Sequence, residues 1–518
     1  MEYSLSSSLV GGSGSLNPDK LSLDLPFAIT KSLTAAKGPT PTFVRASTGT
    51  YFGNDGYLTS AAINVARFDH DTSYVGSTIL VQCIDCVNVY SDVFSAAERI
   101  PLSGIDVDGY PYFIGSLFTV SYTLSNSEWV LSYNGGEFEA YSTTGLSDEY
   151  IPYGAIGGVV TVITELACKG LLIEESSANI IKYSEDYTNP LWVKTASSVS
   201  TSPALSPAVG GCNRITMNAG SSSFPFNGTQ YTTVTSRVVT VSAYARYVNA
   251  QWLWIAGNNG SSSTNYWASF DIQNKVVGGK LSGITSHNIT NVGNGWCRIE
   301  MTYTETSAVL IGGMTFRVGN ASTPTNSATT QAGTEQFDLW GVQLEAKAFT
   351  TSYIPTTSGT APRSADLCSI TSSAFTGFYN QTEGTILSSS SMPLIPSVNS
   401  LAYAFDNATE QERHNFRHNT SLFVTQVSGV TQAQFIGTAP TAGAVTKFAA
   451  AYKVADYAAT KNGTLLTSGT GSFTFVPTPT QVYIGSKIGA SEFLNGHVQY
   501  IKVFKKRLTN EKLQSLTT

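Results

Sequence analysis

The sequence predicts an all-β protein: several β-sandwich or jelly-roll domains in series, a small inserted β-meander domain, and very little helix. Three observations carry this prediction. First, short runs of alternating apolar and polar residues recur along the chain, as in FTVSYTL, VVTVSAYARYV, WCRIEMTYTET and GSFTFVP, the period-2 pattern of half-buried strands. Second, Asn-Gly, Gly-Gly and Asp-Gly pairs separate many of these runs, as tight hairpins require. Third, only 12% of residues are charged, about half of ordinary usage, and the polar remainder is Ser, Thr, Asn and Gly. That mixture suits pleated surfaces joined by turns. At 518 residues the chain is too long for one core.

Four parts and a linker follow in order. Residues 1–71 open with a Ser/Gly arm and pass into extended text rich in Thr and Pro. Residues 72–167 form the meander, with turns expected at Asp108-Gly109 and Asn134-Gly135-Gly136. Residues 168–349 form a longer sandwich ending in the strand GVQLEA. Residues 350–366, TTSYIPTTSGTAPRSAD, leave that sandwich extended, because Pro355 pushes Ile354 toward β or polyproline geometry. Tyr353 and Ile354 are expected to pin this linker to the domain surface. Residues 367–518 form a last sandwich. Two helical signals stand out: SAAERI at 95–100, and RLTNEKLQSL at 507–516 with Thr509 as its N-cap.

Composition excludes several functions. The net charge is −6, and no long Lys/Arg run marks a nucleic-acid footprint. No apolar run reaches the roughly 18 residues of a membrane span. The N-terminus lacks the basic and apolar regions of a signal peptide, so synthesis in a cytoplasm is expected. Of six cysteines only Cys83 and Cys86 are close in sequence. A zinc site needs four ligands, and neighbours at i and i+3 on a strand face opposite ways, so free thiols are expected.

Catalytic signatures were sought along the chain. Glycan-hydrolysing enzymes need two carboxylates across a cleft. In the last domain Asp406, Glu410, Glu412, Glu492 and Glu511 are scattered, and Glu174-Glu175 are strand neighbours that point apart. His414 and His418 would share a face if helical, but RHNFRHN reads as a polar loop or edge strand. No metal, catalytic or cofactor site is therefore assigned. Aromatics are the better functional candidates, because the apolar faces of sugars stack on rings. Trp252 and Trp254 share one strand face. Either they fill the sandwich core or, if that face is outward, they join Tyr266 and Trp267 in a carbohydrate-binding platform beside the loop NNGSSSTN. Trp129 is equally ambiguous, while Trp192, Trp296 and Trp340 read as core.

Three stretches resemble the virion fibre, spike and tail proteins of tailed bacteriophages. TFVRASTGTYFGNDGYLTSAAINVARFDHD at 42–71 looks like their N-terminal segment. GLLIEESSANIIKYSEDYTNPLWVKT at 170–195 looks like the start of their carbohydrate-binding-module-like sandwich, and WGVQLEAKAFTTSYIPTTSGTAPRSAD at 340–366 like its end. The text from TEGTILSSS to the C-terminus resembles a laminin-G/concanavalin-like sandwich. Two departures are visible: Ser177-Ala178-Asn179 stands where the family often has Arg-Thr-Asn, and about 100 residues are inserted after Asp71. The resemblance implies a virion-surface protein, commonly a homotrimer, attached to other virion proteins through its N-terminal arm. It implies a tail fibre or spike that adheres to host surface polysaccharide without catalysis. A head fibre or capsid decoration protein, and a glycan depolymerase, are the alternatives. Calcium is seen in sandwiches of the last type, although no cluster of acids here demands it.

Overall fold

The computed structural model describes residues 21–72 and 168–518 apart from short loop segments, and describes residues 73–167 through their strands alone. The chain is all-β, with separate antiparallel sheets and three short helices among the described residues. Residues 1–20, the turn residues Asp108, Gly109, Asn134 and Gly135, and the side chains of Cys83, Cys86 and Trp129 lie outside the described residues.

In the inserted part, seven strands from Thr78–Asp85 to Gly136–Ala140 pair with their sequence neighbours, and Gly158–Thr161 returns to pair with Thr78–Asp85. The helical signal at 95–100 is corrected at its end. Arg99 and Ile100 belong to the strand Arg99–Ile105, where pairing with Asn88–Val93 overrides the local helix propensity of Ala and Glu.

The central sandwich packs a six-stranded sheet against a five-stranded one. The six-stranded sheet runs Ser197–Thr201, Asn213–Met217, Gln336–Glu345, Val238–Tyr247, Trp296–Thr304 and Ile284–Gly293. The five-stranded sheet runs Phe226–Asn227, Met314–Gly319, Trp252–Gly257, Trp267–Asp271 and Val276–Lys280. Val241, Ala243, Leu339 and Ile299 from one sheet meet Leu253, Ile255, Phe270 and Phe316 from the other in one buried core. GVQLEA is the end of the strand Gln336–Glu345.

The C-terminal sandwich draws strands from distant parts of the sequence. Its eight-stranded sheet contains Glu383–Ser391, Thr446–Lys453 and Gly496–Phe504. Leu21–Leu25 and Cys168–Ile173 both pair with Gly496–Phe504, and Phe68–His70 pairs with Cys168–Ile173. Leu23, Leu25, Leu171 and Ile173 are buried in its core. The opposite sheet has seven strands, in the order Thr42–Val44, Leu367–Thr371, Gln481–Ile484, Leu401–Asp406, Arg413–Arg417, Leu422–Val427 and Val430–Ile436. Sheet membership thus crosses positions 71, 168 and 367, where composition changes. The closing helix is Asn510–Thr517, and the Thr509 hydroxyl accepts from the Lys512 amide as its N-cap.

Where the two sandwiches meet, five charged side chains form a buried node. Arg67 donates to Glu174 at 2.7 Å and also to Asp366. Arg45 donates to Asp366 at 3.2 Å, and Arg363 lies 3.4 Å from Glu174. Glu174 further accepts from the amide and hydroxyl of Ser352, both at 2.7 Å. Burial disfavours the Glu174 carboxylate, but Arg363, Arg67 and Ser352 outweigh it and hold its pKa well below the usual range. The linker is held beside this node. Tyr353 and Ile354 are buried, the Tyr353 hydroxyl reaches Ser184 and Glu185, and the Ile354 amide donates to Gln343.

RHNFRHN is a strand followed by a turn, and the strand is not at the sheet edge. It forms the interior strand Arg413–Arg417, and the rings of His414 and His418 point into the apolar core. The correction follows from packing on both sides of the strand, which buries His414, Asn415 and Phe416, while the turn that follows buries His418. His414 is bonded to Thr425 Oγ1 (2.8 Å) and the Tyr379 hydroxyl (3.0 Å), and His418 Nδ1 to Ser390 Oγ (2.8 Å). Burial lowers their pKa to about 3 for His414 and, with Lys461 adding repulsion, about 4 for His418. The unfolded chain therefore takes up protons below the ordinary histidine value of 6.5, whereas the folded chain does so only near 4 and 3. Stability is fully present above pH ~6.5 and falls as the pH drops through that window. Between pH 7 and 5 the expected loss is about 2 kcal/mol for each histidine, measurable by urea unfolding at the two pH values. A His418→Gln variant should lose correspondingly less.

Candidate glycan-binding face

The strand Trp252–Gly257 sends Leu253 and Ile255 into the central core and Trp252, Trp254 and Ala256 to the opposite face. The face shared by Trp252 and Trp254 is therefore the outward face of the five-stranded sheet. Trp267 joins them there, since it pairs with Ala256 across the sheet. Tyr266 does not: it packs on the inner side, its ring 5.8 Å from that of Tyr303. The four aromatics proposed from the sequence are thus divided by strand alternation, three outside and one inside.

Outward placement does not leave all three rings open. Trp254 is 1% exposed and Trp267 fully buried, and only Trp252 is half-exposed. Two features close the cluster. Arg317, across from Trp254, lays its guanidinium over the Trp267 ring at 4.5 Å, a cation–π contact in a desolvated setting. Burial lowers the Arg317 pKa. The segment at Ser322–Pro324 also folds toward the sheet edge, where the Ser322 carbonyl accepts from the Gly279 amide at 2.7 Å and from Ser269 Oγ. Gly319 is required beneath Trp254, because a Cβ there would lie 2.0 Å from the indole nitrogen.

A ring with no accessible face cannot stack on a sugar. Trp254 and Trp267 therefore form the floor of this face, and Trp252 is its accessible ring, lying over Gly278. Beside Trp252, Asp271 accepts from Gln251 (2.7 Å) and from the amide (2.8 Å) and side chain (2.9 Å) of Asn274. Burial opposes this carboxylate, but its hydrogen bonds, led by the Asn274 amide, hold its pKa below the usual value. The other tryptophans whose side chains are described, Trp192, Trp296 and Trp340, are buried in the packing between elements.

A second concavity, about 440 Å³, lies in the C-terminal sandwich between Phe375, Thr376, Tyr379, Asn380, Gln381 and Lys505. Its polar groups are already engaged: Lys505 donates to the Gly377 carbonyl and Asn380 to the Lys505 carbonyl, both at 2.8 Å. Among the described residues, no group of three or more His, Cys, Asp or Glu side chains is placed to hold a metal ion, and no helix is long and apolar enough to cross a membrane. Three of the buried carboxylates elsewhere are held by several donors or by arginine. Asp338 accepts from Arg214 and Arg246, Glu305 from Arg237, and Glu345 from Ser177, Gln343 and Thr351. The sequence offered no sign of Arg317 as the partner of these tryptophans, since 50 positions separate it from Trp267.

No known protein-family model matches the sequence, and no curated protein matches it. Solved structures give distant likenesses. The carbohydrate-binding module CBM40 of the Ruminococcus gnavus IT-sialidase, bound to α2,3-sialyllactose, is 14% identical over 27% of this chain and 84% of its own, with a TM-score of 0.20. Domains LG4-5 of the mouse laminin α1 chain are 10% identical over 54% of this chain and 88% of their own, with a TM-score of 0.20. The Trypanosoma rangeli sialidase is 11% identical over 95% of this chain and 96% of its own, with a TM-score of 0.21. At such TM-scores these likenesses do not bear on the site.

Proposed function

We propose that this chain is a virion-surface adhesin of a tailed bacteriophage, a tail fibre or spike that binds host surface polysaccharide without cleaving it. The observation that carries the binding role is the tryptophan cluster on the outward face of the central sandwich. Sandwiches ordinarily use their large aromatics to fill the core. Here three tryptophans are spent on the solvent side, two as a rigid floor and Trp252 as the accessible ring. The engagement of Asp338, Glu305 and Glu345 by arginine, hydroxyl and amide donors supports a non-catalytic role for these buried acids. The virion setting rests on the motif resemblance at 42–71, 170–195 and 340–366. A trimer would multiply weak contacts through avidity, and the N-terminal arm would join the chain to other virion proteins.

The test is retention of purified protein on a panel of immobilised bacterial surface polysaccharides. Trp252→Ala is expected to weaken retention on the preferred polysaccharide by about tenfold or more, the scale of one lost stacking contact. Unchanged retention by a folded Trp252→Ala protein would overturn the assignment of this face.

A further inference from the structure

The seven-stranded sheet of the C-terminal sandwich has one face in the core and one toward solvent, and the solvent face has the form of a shallow trough. Its floor is a cross-strand row, Ala404–Asn415–Val424, all three buried. At the ends of this row stand Tyr483, across from Ala404, and Gln434, across from Val424. Arg413 and Arg417 flank Asn415 along its own strand. These four taller side chains are half-exposed. The floor is thus sunk among a phenol ring, an amide and two guanidinium groups.

Asn415 Oδ1 and Arg417 Nε, two polar atoms of the trough, lack hydrogen-bond partners. Asn415 is 2% exposed, and its side-chain oxygen has no hydrogen-bond partner. Arg417 Nε is likewise buried without a partner, and no carboxylate among the described residues pairs with the Arg417 guanidinium. A buried amide oxygen left without a donor costs on the order of 1–3 kcal/mol, so its position at the centre of an open face points to a ligand that donates to it. Asp406 shares this face, two residues along the strand from Ala404 and opposite Gln481. Asp406, buried on the adjacent strand, accepts from Gln481 at 2.6 Å and from the Ala408 amide at 2.9 Å.

We propose that this trough binds an acidic saccharide, one carrying a hexuronic or similar sugar carboxylate. The carboxylate meets the Arg417 guanidinium, a sugar hydroxyl donates to Asn415 Oδ1, and the Tyr483 ring takes an apolar sugar face. Arginine presents the planar fork that matches a carboxylate in two parallel hydrogen bonds. This site is separate from the tryptophan face, and it rests on the glycan-binding reading only for the class of ligand.

The probes are an oligogalacturonate and a neutral galactose oligomer of the same length, titrated calorimetrically against the full chain. Wild type is expected to bind the oligogalacturonate at least tenfold more tightly, with affinity falling as salt is raised. Arg417→Gln, at a half-exposed position that leaves the core intact, is expected to abolish that preference, and so is Asn415→Asp, which sets a negative charge on the floor. Equal affinity of wild type for the two oligomers would overturn the proposal, as would an undiminished preference in a folded Arg417→Gln protein. Loss of neutral-glycan retention in Trp252→Ala reports separately on the tryptophan face. An acidic peptide that competes with the oligogalacturonate and binds more tightly would overturn it in favour of a protein partner.

Discussion

Replacing Asp366 by alanine is expected to cost about 3–5 kcal/mol of folding stability, the range for removing one partner of a buried ion pair. Asp366 receives Arg45 and Arg67 and also the Glu174 amide at 2.9 Å. Its removal leaves three guanidinium groups, those of Arg45, Arg67 and Arg363, facing Glu174 alone in a site without solvent. Arg45 shows the balance most clearly. Burial lowers its pKa, the Asp366 charge opposes this, and Arg67 and Arg363 act with burial. Without Asp366 only the unfavourable influences remain. The measurement is urea unfolding of the variant against wild type. A surface pair is the control: Lys506, 54% exposed, sits 2.7 Å from Glu383, and Lys506→Ala should cost less than about 1 kcal/mol. The node joins residues 45 and 67, Glu174 just after the strand Cys168–Ile173, and the linker from Ser352 to Asp366. The loss should therefore affect both sandwiches, and their unfolding transitions should shift together.

Gly170→Ala is expected to be nearly as damaging, on the order of 3 kcal/mol or more, because it combines backbone strain with a clash. Gly170 has φ +106°, a region that side chains rarely adopt, and a Cβ there would lie 2.3 Å from the Val498 carbonyl oxygen. That oxygen belongs to the backbone of the strand Gly496–Phe504, which carries the pairing of the eight-stranded sheet on both sides. It cannot move aside as a flexible side chain would. Gly170 also marks a register shift between Cys168–Ile173 and Phe68–His70, the local twist expected of a bulge. The strands before and after the inserted domain would be released together. Thermal unfolding of the variant, with proteolysis between residues 73 and 167 as a second readout, measures the effect.

The stretches that resemble phage fibre proteins were visible in the sequence, but their purpose was not. Arg45, Arg67, Glu174, Ser352, Arg363 and Asp366 lie in those stretches, and each looked like part of a separate strand or linker. Their union depends on contacts as far apart as 321 positions, which no local pattern encodes. Strand existence was legible because alternation is local. Sheet membership was not, because Leu21–Leu25 and Phe68–His70 reach their sheet only through distant pairing. The histidines of RHNFRHN misled for a related reason: a polar reading of the text misses that both rings are buried as neutral imidazoles, His414 with two hydrogen-bond partners and His418 with Ser390 on its Nδ1. The tryptophan face was half legible. Period-2 spacing placed Trp252 and Trp254 together, but the covering contributed by Arg317 and the Ser322 segment, and the inward turn of Tyr266, come from tertiary packing. The trough around Asn415 was not legible at all, since its walls belong to strands that are not neighbours in sequence.

The central claim is that the chain holds host polysaccharide and leaves it intact. The most direct test incubates the purified full chain with soluble bacterial surface polysaccharides and follows binding and released reducing ends in the same sample. The expected result is saturable binding, weakened by Trp252→Ala, with no new reducing ends. Release of reducing ends would contradict the adhesin reading and establish a depolymerase, and absence of binding to every polysaccharide in the panel would contradict the glycan-binding role itself.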